Sequence, residues 1–188
     1  SNTDLEGSPF ALFVDQNKAL VLSRVWDYSK LEVSFAPQSW QMTKLSLFDL
    51  TDRISPKLLR DVYLEGNYVD ARMVDGRIHL VVSSGVTTSG VFPIMPPVAE
   101  PFLADATSSP DIDPTITFPR ILDKIYNEEG STSSEERICL CENVYRPEIG
   151  IGNGLLTLFT LDLNEPLSKP HRVSVLGDSG LILSLIHI

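Results

Sequence analysis

Residues 45–50 read LSLFDL, and residues 158–163 read LFTLDL. Each segment ends in Asp-Leu and precedes a proline-containing loop, with Pro56 after the first segment and Pro170 after the second. In the first segment, large apolar residues occupy both alternating sets of positions, which is typical of a strand that is buried on both faces. The pair therefore predicts one kind of strand that occurs twice in the chain.

The sequence on either side of this strand also recurs. Residues 11–14 and 19–22 are apolar runs around a polar turn, and residues 69–74 and 78–82 flank Asp75-Gly76, which is a strong hairpin signal. The two hairpins align at an offset of about 60 residues, with one residue gained or lost in the turn. VYLEG at residues 62–66 aligns in turn with VSVLG at residues 173–177. The order of hairpin, strand with Asp, proline loop, strand and Gly therefore occurs twice.

An antiparallel four-strand unit repeated along the chain predicts an all-β protein of the β-propeller type. The first blade would cover residues 9–66 and the second residues 67–177, with an insertion at about residues 83–153, and a third would begin at residues 178–182. A β-sandwich is the alternative, and it would alternate apolar and polar residues more cleanly. Because propellers close with four to eight blades, we expect this chain to be a piece of a longer protein.

The insertion is the least repeat-like part of the sequence. Residues 118–126 read FPRILDKIY, with a proline suited to a first helical turn and three apolar residues on one helical face, which predicts a short helix. Residues 128–137 are polar and are expected to be flexible. Insertions of this length are uncommon unless they are functional or disordered.

Both ends of the sequence have unusual features. It begins at Ser1, without a Met or a secretion signal. Residues 183–188 read LSLIHI and resemble the conceptual translation of a common transposase sequencing adapter. We therefore expect these six residues to be an artefact.

Composition and charge exclude several classes of protein. The 188 residues include 15 Lys and Arg against 25 Asp and Glu, a net charge of −10, which makes the chain a poor partner for nucleic acid. No apolar run reaches the roughly 18 residues of a membrane span, so we expect no transmembrane segment here. Two cysteines cannot build a disulfide scaffold.

Six motifs follow one another along the chain: TKLSLFDLTD (43–52), SPK (55–57), LEGNY (64–68), RMVDGR (72–77), ENVYRP (142–147) and GLLTLFTLDL (154–163). Their order resembles the secreted β-propeller domain proteins of bacteria and archaea, over about residues 9–182. The sequence departs from that family at ISP, residues 54–56, where Asp-Pro is usual, and the change affects a turn. The resemblance implies an extracytoplasmic protein, secreted or in the cell envelope, whose signal peptide lies outside this chain. It brings no catalytic residues.

No motif makes a convincing catalytic, cofactor or metal site. GDSG at residues 177–180 resembles the nucleophile loop of chymotrypsin-like proteases, but Leu181 replaces a glycine and no matching histidine segment lies upstream. Residues 111–115 begin like a calcium loop but lack its glycine and closing glutamate. Cys139 and Cys141 would share one face of a strand, and thiols, a disulfide to another cysteine and metal ligation stay open. We expect no catalytic residue, cofactor or metal, and the sequence disfavours an enzyme.

Four aromatic residues, Trp26, Tyr28, Phe35 and Trp40, lie between the second and third strands of the first blade. In a propeller such loops line one rim, where aromatic side chains can bind a sugar or a peptide. The alternative is that they pack under their own loop. We predict that this loop and the insertion face an unknown protein, peptide or glycan ligand.

The predicted function is therefore that of a non-catalytic binding scaffold. The alternative is a propeller enzyme, either a hydrolase or a quinone-dependent oxidoreductase, whose central-funnel site would lie largely outside this chain.

Overall fold

The computed structural model describes residues 4–26, 41–85, 87–88, 116–139, 141–145 and 154–177. These residues form β-strands and one short 3-10 helix, Cys141–Asn143, and contain no α-helix, so the prediction of an all-β protein is confirmed. The strands are β1 (Ser8–Asp15), β2 (Lys18–Val25), β3 (Met42–Asp49), β4 (Lys57–Glu65), β5 (Asn67–Val74), β6 (Arg77–Gly85), β7 (Thr87–Thr88), β8 (Ile116–Thr117), β9 (Arg120–Asn127), β10 (Gly130–Arg137), β11 (Val144–Tyr145), β12 (Gly154–Asp162) and β13 (His171–Leu176).

Two large sheets contain most of these strands. In the first sheet the order is β1-β2-β3-β4-β9-β10, and each strand is antiparallel to its neighbour. In the second the order is β5-β6-β12-β13-β11, with only β11 parallel to its neighbour. Each sheet therefore contains four antiparallel strands in chain order, apart from the insertion between β6 and β12.

The hairpin turns of the two sheets have the same length. Asp15 is paired with Lys18 and Val74 with Arg77, so each turn contains two residues. The expected gain or loss of one residue in the turn was therefore wrong. Gln16 and its equivalent Asp75 take the same left-handed conformation, with φ of 48° and 49°.

The chain passes from the first sheet to the second through one residue, Gly66. Its φ is +130°, and a Cβ there would lie 2.3 Å from Ser84 Oγ and 2.6 Å from the carbonyl oxygen of Ser83. Only glycine combines this backbone conformation with so close a contact. The Ser84 hydroxyl then donates to the carbonyl oxygen of Glu65 at 2.6 Å, which joins the ends of β4 and β6.

The sheets pack face to face over one apolar core. Burial of apolar side chains from both sheets is the main stabilising contribution to such a structure. The fully or almost fully buried residues of this shared core are Leu20, Leu22, Leu45, Leu47, Val62, Leu64, Ile78, Leu80, Val82, Ile121, Ile138, Cys139, Leu155, Phe159, Leu161 and Leu163. Val25, Met42, Tyr63 and Leu122 form a second, smaller buried cluster.

Equivalent positions of the two repeats face in opposite directions relative to this core. Leu45 is 1% exposed, whereas its equivalent Leu158 is 40% exposed. Leu64 is fully buried, whereas its equivalent Val175 is 42% exposed. A symmetric sandwich of two equivalent sheets would bury the same face of both. The repeats are instead stacked head to tail, as successive blades of a propeller are.

The insertion contains a hairpin where a helix was predicted. Residues 118–126 include most of β9, and the polar residues 128–137 include β10, which were expected to be flexible. β9 pairs with β4 and extends the first sheet to six strands. Ile121 and Leu122 are both buried but on opposite faces of that sheet, an arrangement that period 2 allows and a one-sided helix does not.

Several sequence predictions concern residues outside the described ones. They include residues 111–115, the third blade at residues 178–182 and the adapter-like residues 183–188. Within the described part of the chain, no helix has the length and apolar character needed to cross a bilayer.

Candidate functional site

One rim of both sheets carries the long connections. β2 ends and β3 begins there, where Val25 is paired with Met42, and the insertion leaves β6 at Gly85 and returns at Gly154, its partner in the ladder. The crossing at Gly66 lies at the same end of the strands. We call this edge the long-loop rim. The opposite edge, the turn rim, carries residues 16–17, 50–56, 75–76 and 163–170.

Trp26 lies on the long-loop rim, directly after β2. Its side chain is 53% exposed, although the preceding Val25 is 1% exposed. Tyr28, Phe35 and Trp40 lie outside the described residues, so a joint role for the four aromatics stays a prediction. The described ends of the predicted loop and of the predicted insertion lie at the same rim.

A second exposed aromatic residue on this rim was missed by the sequence analysis. Tyr145 in β11 is 60% exposed and is paired with Val175 near the end of β13. That end is at the long-loop rim, because the Gly177 N–H donates to the Gly154 carbonyl at 3.0 Å. A single tyrosine in a short strand without alternation offered no signal beyond its residue type.

A buried arginine joins the β9–β10 hairpin to both sheets. Arg60 in β4 is 1% exposed. Its Nε and Nη2 donate to the two carboxylate oxygens of Asp123 at 2.8 and 2.5 Å. Its Nη1 donates to the carbonyl oxygens of Pro166 and Ser168, both at 2.8 Å. These bonds use four of the five guanidinium donors, which compensates for the removal of the charge from water.

A second ion pair lies beside the first. Arg172 Nη2 donates to Glu136 at 2.6 Å, and its Nη1 donates to the carbonyl oxygen of Arg137 at 3.0 Å. The hydrogen bond from Arg172 holds the pKa of Glu136 below its usual value, although burial opposes this effect. The two ion pairs line a cleft of about 200 Å³ between the hairpin and the loop of residues 163–170. Because these charges are paired within the protein, the charged side chains of the cleft have partners without a ligand.

The other face of the first sheet holds a further network of charged and polar groups. Lys44 lies between Glu6 at 2.9 Å and Asp61 at 3.1 Å. The Ser46 hydroxyl donates to Asp61 at 2.6 Å, and the Tyr63 hydroxyl donates to Glu6 at 2.6 Å. Burial strongly raises the pKa of Tyr63, so its phenol stays protonated and acts as a donor rather than a base.

Carboxylates at the turn rim follow the repeat. Asp49 accepts hydrogen bonds from the hydroxyl and N–H of Thr51 at 2.6 and 2.8 Å and from Lys18 at 3.0 Å. Asp162 in the second sheet accepts from Asn164 N–H at 2.9 Å and from Arg77 at 3.0 Å. These bonds lower the pKa of Asp49 to about 2 and also lower that of Asp162. Both groups are ionised caps of a turn and are unsuited to general acid catalysis.

A family model described as Beta propeller domain matches residues 1–184. The chain belongs to the beta propeller domain family. This match and the two stacked sheets confirm the predicted fold class, while the residue limits proposed for each blade stay a prediction. A search of the curated proteins and a search of the solved structures found no match for the chain.

In this propeller chain the charged residues that matter for structure could have been suspected from sequence. Arg60 follows Leu58-Leu59, and Asp123 follows Ile121-Leu122, so each charge interrupts an apolar segment. Such charges are seldom buried without a partner. The sequence did not show that they are partners, because β4 and β9 are neighbours only in the folded sheet. In the described residues, no group of three or more His, Cys, Asp or Glu side chains is arranged to hold a metal ion.

Proposed function

We propose that this propeller chain is a non-catalytic scaffold that binds a protein, peptide or glycan through its long-loop rim. The observation that carries the proposal is that Trp26 and Tyr145 are 53% and 60% exposed on that rim, beside the two longest connections. Exposed aromatic rings offer large contact areas at a small entropy cost, and they contribute strongly to protein, peptide and sugar binding.

The charge states of four ionisable groups also support binding rather than catalysis. The pKa values of Asp49, Glu136 and Asp162 are lowered, and that of Tyr63 is raised. All four groups are therefore held in the charge state they already have at neutral pH. A general acid or base requires a pKa near the working pH, which is the opposite arrangement.

We propose further that the protein acts outside the cytoplasm, secreted or in the cell envelope. This location is supported by the order of motifs from residue 43 to residue 163, which resembles that of secreted propeller proteins. Fractionation of cells that express the gene with its own upstream region tests the location. Recovery in the cytosol alone would contradict it.

Binding is tested with the purified chain on a glycan array and on an array of unmodified peptides. The best glycan or peptide is then titrated against Trp26→Ala and Tyr145→Ala. We expect each substitution to weaken binding about tenfold, which is usual for an exposed aromatic at the centre of an interface. Ile54→Ala and Leu167→Ala are matched controls, because these side chains are 80% and 55% exposed on the opposite rim.

The controls should bind within about twofold of the unmodified chain, since they lie outside the proposed surface. Equal losses in all four variants would show that the long-loop rim is not the binding surface. Absence of binding to both arrays would contradict the scaffold proposal in its present form.

A further inference from the structure

A hairpin from the second repeat completes the sheet of the first. β9 and β10 lie in the sequence between β6 and β12, yet β9 pairs with β4 from Arg60–Ile125 to Leu64–Ile121. The second sheet has no such addition among its described strands, since the strand beside β13 is the two-residue β11. The hairpin is therefore a departure from the repeat, and it links the two repeats at a place other than the Gly66 crossing.

The two strands of the hairpin are held very differently. Ile121 and Leu122 of β9 are 2% and 0% exposed. In β10, by contrast, every residue from Gly130 to Ser134 is exposed, and the strand has no neighbour on its outer side in the described sheet. β10 is therefore a polar edge strand of the kind found in the less stable parts of a fold, whereas β9 is held in the sheet by buried apolar side chains, so docking of the hairpin depends on β9.

Polar contacts at the inner end of the hairpin reach both sheets. Arg60 belongs to the first sheet, Asp123 to the hairpin, and the carbonyl oxygens of Pro166 and Ser168 to the loop between β12 and β13. One guanidinium therefore joins three segments that lie far apart in sequence. The Glu136–Arg172 pair makes a second bridge from β10 to β13.

We propose that the β9–β10 hairpin is a clasp, which docks on the two sheets and releases from them while both sheets stay folded, with Arg60 as its anchor. The four strands β1–β4 form a continuous antiparallel sheet without it. A buried ion pair stabilises the docked state only while both partners are present, because a lone buried charge is strongly unfavourable. The clasp involves only described residues, and it does not depend on whether the long-loop rim binds a ligand.

Hydrogen exchange followed by mass spectrometry on the full chain tests the clasp. In Asp123→Asn, which removes the charge that pairs with Arg60, we expect exchange in residues 120–137 and 163–170 to rise roughly tenfold or more. Exchange in β2, β3 and β6 should stay unchanged. The matched control is Glu128→Gln, which removes an exposed ion pair to Lys57 (3.8 Å) in the same hairpin and should leave exchange unaltered everywhere.

Two results from this variant would overturn the clasp. A uniform rise over both sheets would show that the hairpin is part of the global fold. No rise at all would show that Arg60 is not its anchor.

If Asp123→Asn does not fold, the milder Glu136→Gln takes its place, because this carboxylate is 38% exposed and the Arg60 pair stays intact. A rise confined to the hairpin would then support the clasp, whereas a uniform rise, no rise or failure of this variant to fold would refute it.

Discussion

The most informative single residues are the aspartates that close the third strand of each repeat. Asp49 and Asp162 occupy the same place in the two copies, and each accepts an N–H two residues further along and a basic side chain from the neighbouring strand. The backbone repeats this contact, since the Leu50 N–H donates to Asn17 and the Leu163 N–H donates to Gly76. A carboxylate in this position satisfies backbone donors that the end of a strand leaves without a partner.

These aspartates make stability depend on pH at the acid end. Because the folded-state pKa of Asp49 is about 2, below its usual value, its contribution is complete at pH above about 4 and is lost as the pH falls through about 2. We expect Asp49→Asn to be less stable by about 1 kcal/mol at pH 7, a modest figure because solvent screens this partly exposed group. Urea unfolding at several pH values measures the effect. A variant that loses as much stability between pH 4 and pH 2 as the unmodified chain would contradict it.

At the scale of strands, the repeat predicts conformation but not burial. β3 and β12 have the same register against their neighbours, since Leu45 is paired with Val62 and Leu158 with Val173. In residues 118–126 the apolar pattern does not determine even the conformation, because the same apolar positions suit a one-sided helix or a strand buried on both faces. These residues form a strand because they pair with the edge of β4, which lies some 55 to 65 residues earlier in the sequence.

Two identical substitutions at equivalent positions should therefore have different effects. Leu45→Ala removes a side chain that is 1% exposed and should lower the free energy of unfolding by about 2 to 5 kcal/mol. Leu158→Ala acts on a side chain that is 40% exposed and should cost less than about 1 kcal/mol. Urea unfolding at neutral pH compares them. Similar losses would show that the outer face of the second sheet is covered in solution.

At the scale of the whole molecule, the two sheets form one structural unit. The larger of their two buried clusters is shared and includes Leu20 and Leu64 from the first sheet and Leu80 and Phe159 from the second. A crossing of one residue, Gly66, leaves the sheets no room to separate without losing this core. Stability is therefore shared between the two sheets. Among the described elements, only the β9–β10 hairpin, whose strand β10 is an exposed polar edge, is expected to open separately.

This arrangement predicts cooperative unfolding. Leu80→Ala, in the second sheet, should raise hydrogen exchange in β2 and β3 by the same factor as in β12 and β13, because the loss of about 2 to 5 kcal/mol falls on a shared core. Calorimetry of the same variant should show one transition at a lower Tm. Two transitions, or faster exchange in the second sheet alone, would mean that the sheets unfold independently.

Residue type and spacing are enough to predict the local features of the two repeats: their strands outside the insertion, the Asp75-Gly76 hairpin, the doubled aspartate strand and hence the all-β repeat. Those features depend on residue type and spacing within a few positions, which a linear sequence records. Three further features follow from the folded structure: β9–β10 joins the first sheet, Arg60 meets Asp123, and Leu45 is buried while Leu158 is not. Each of these features depends on contacts between segments about 60 or more residues apart in the chain. Burial and ion pairing follow from those contacts and not from the residue type alone.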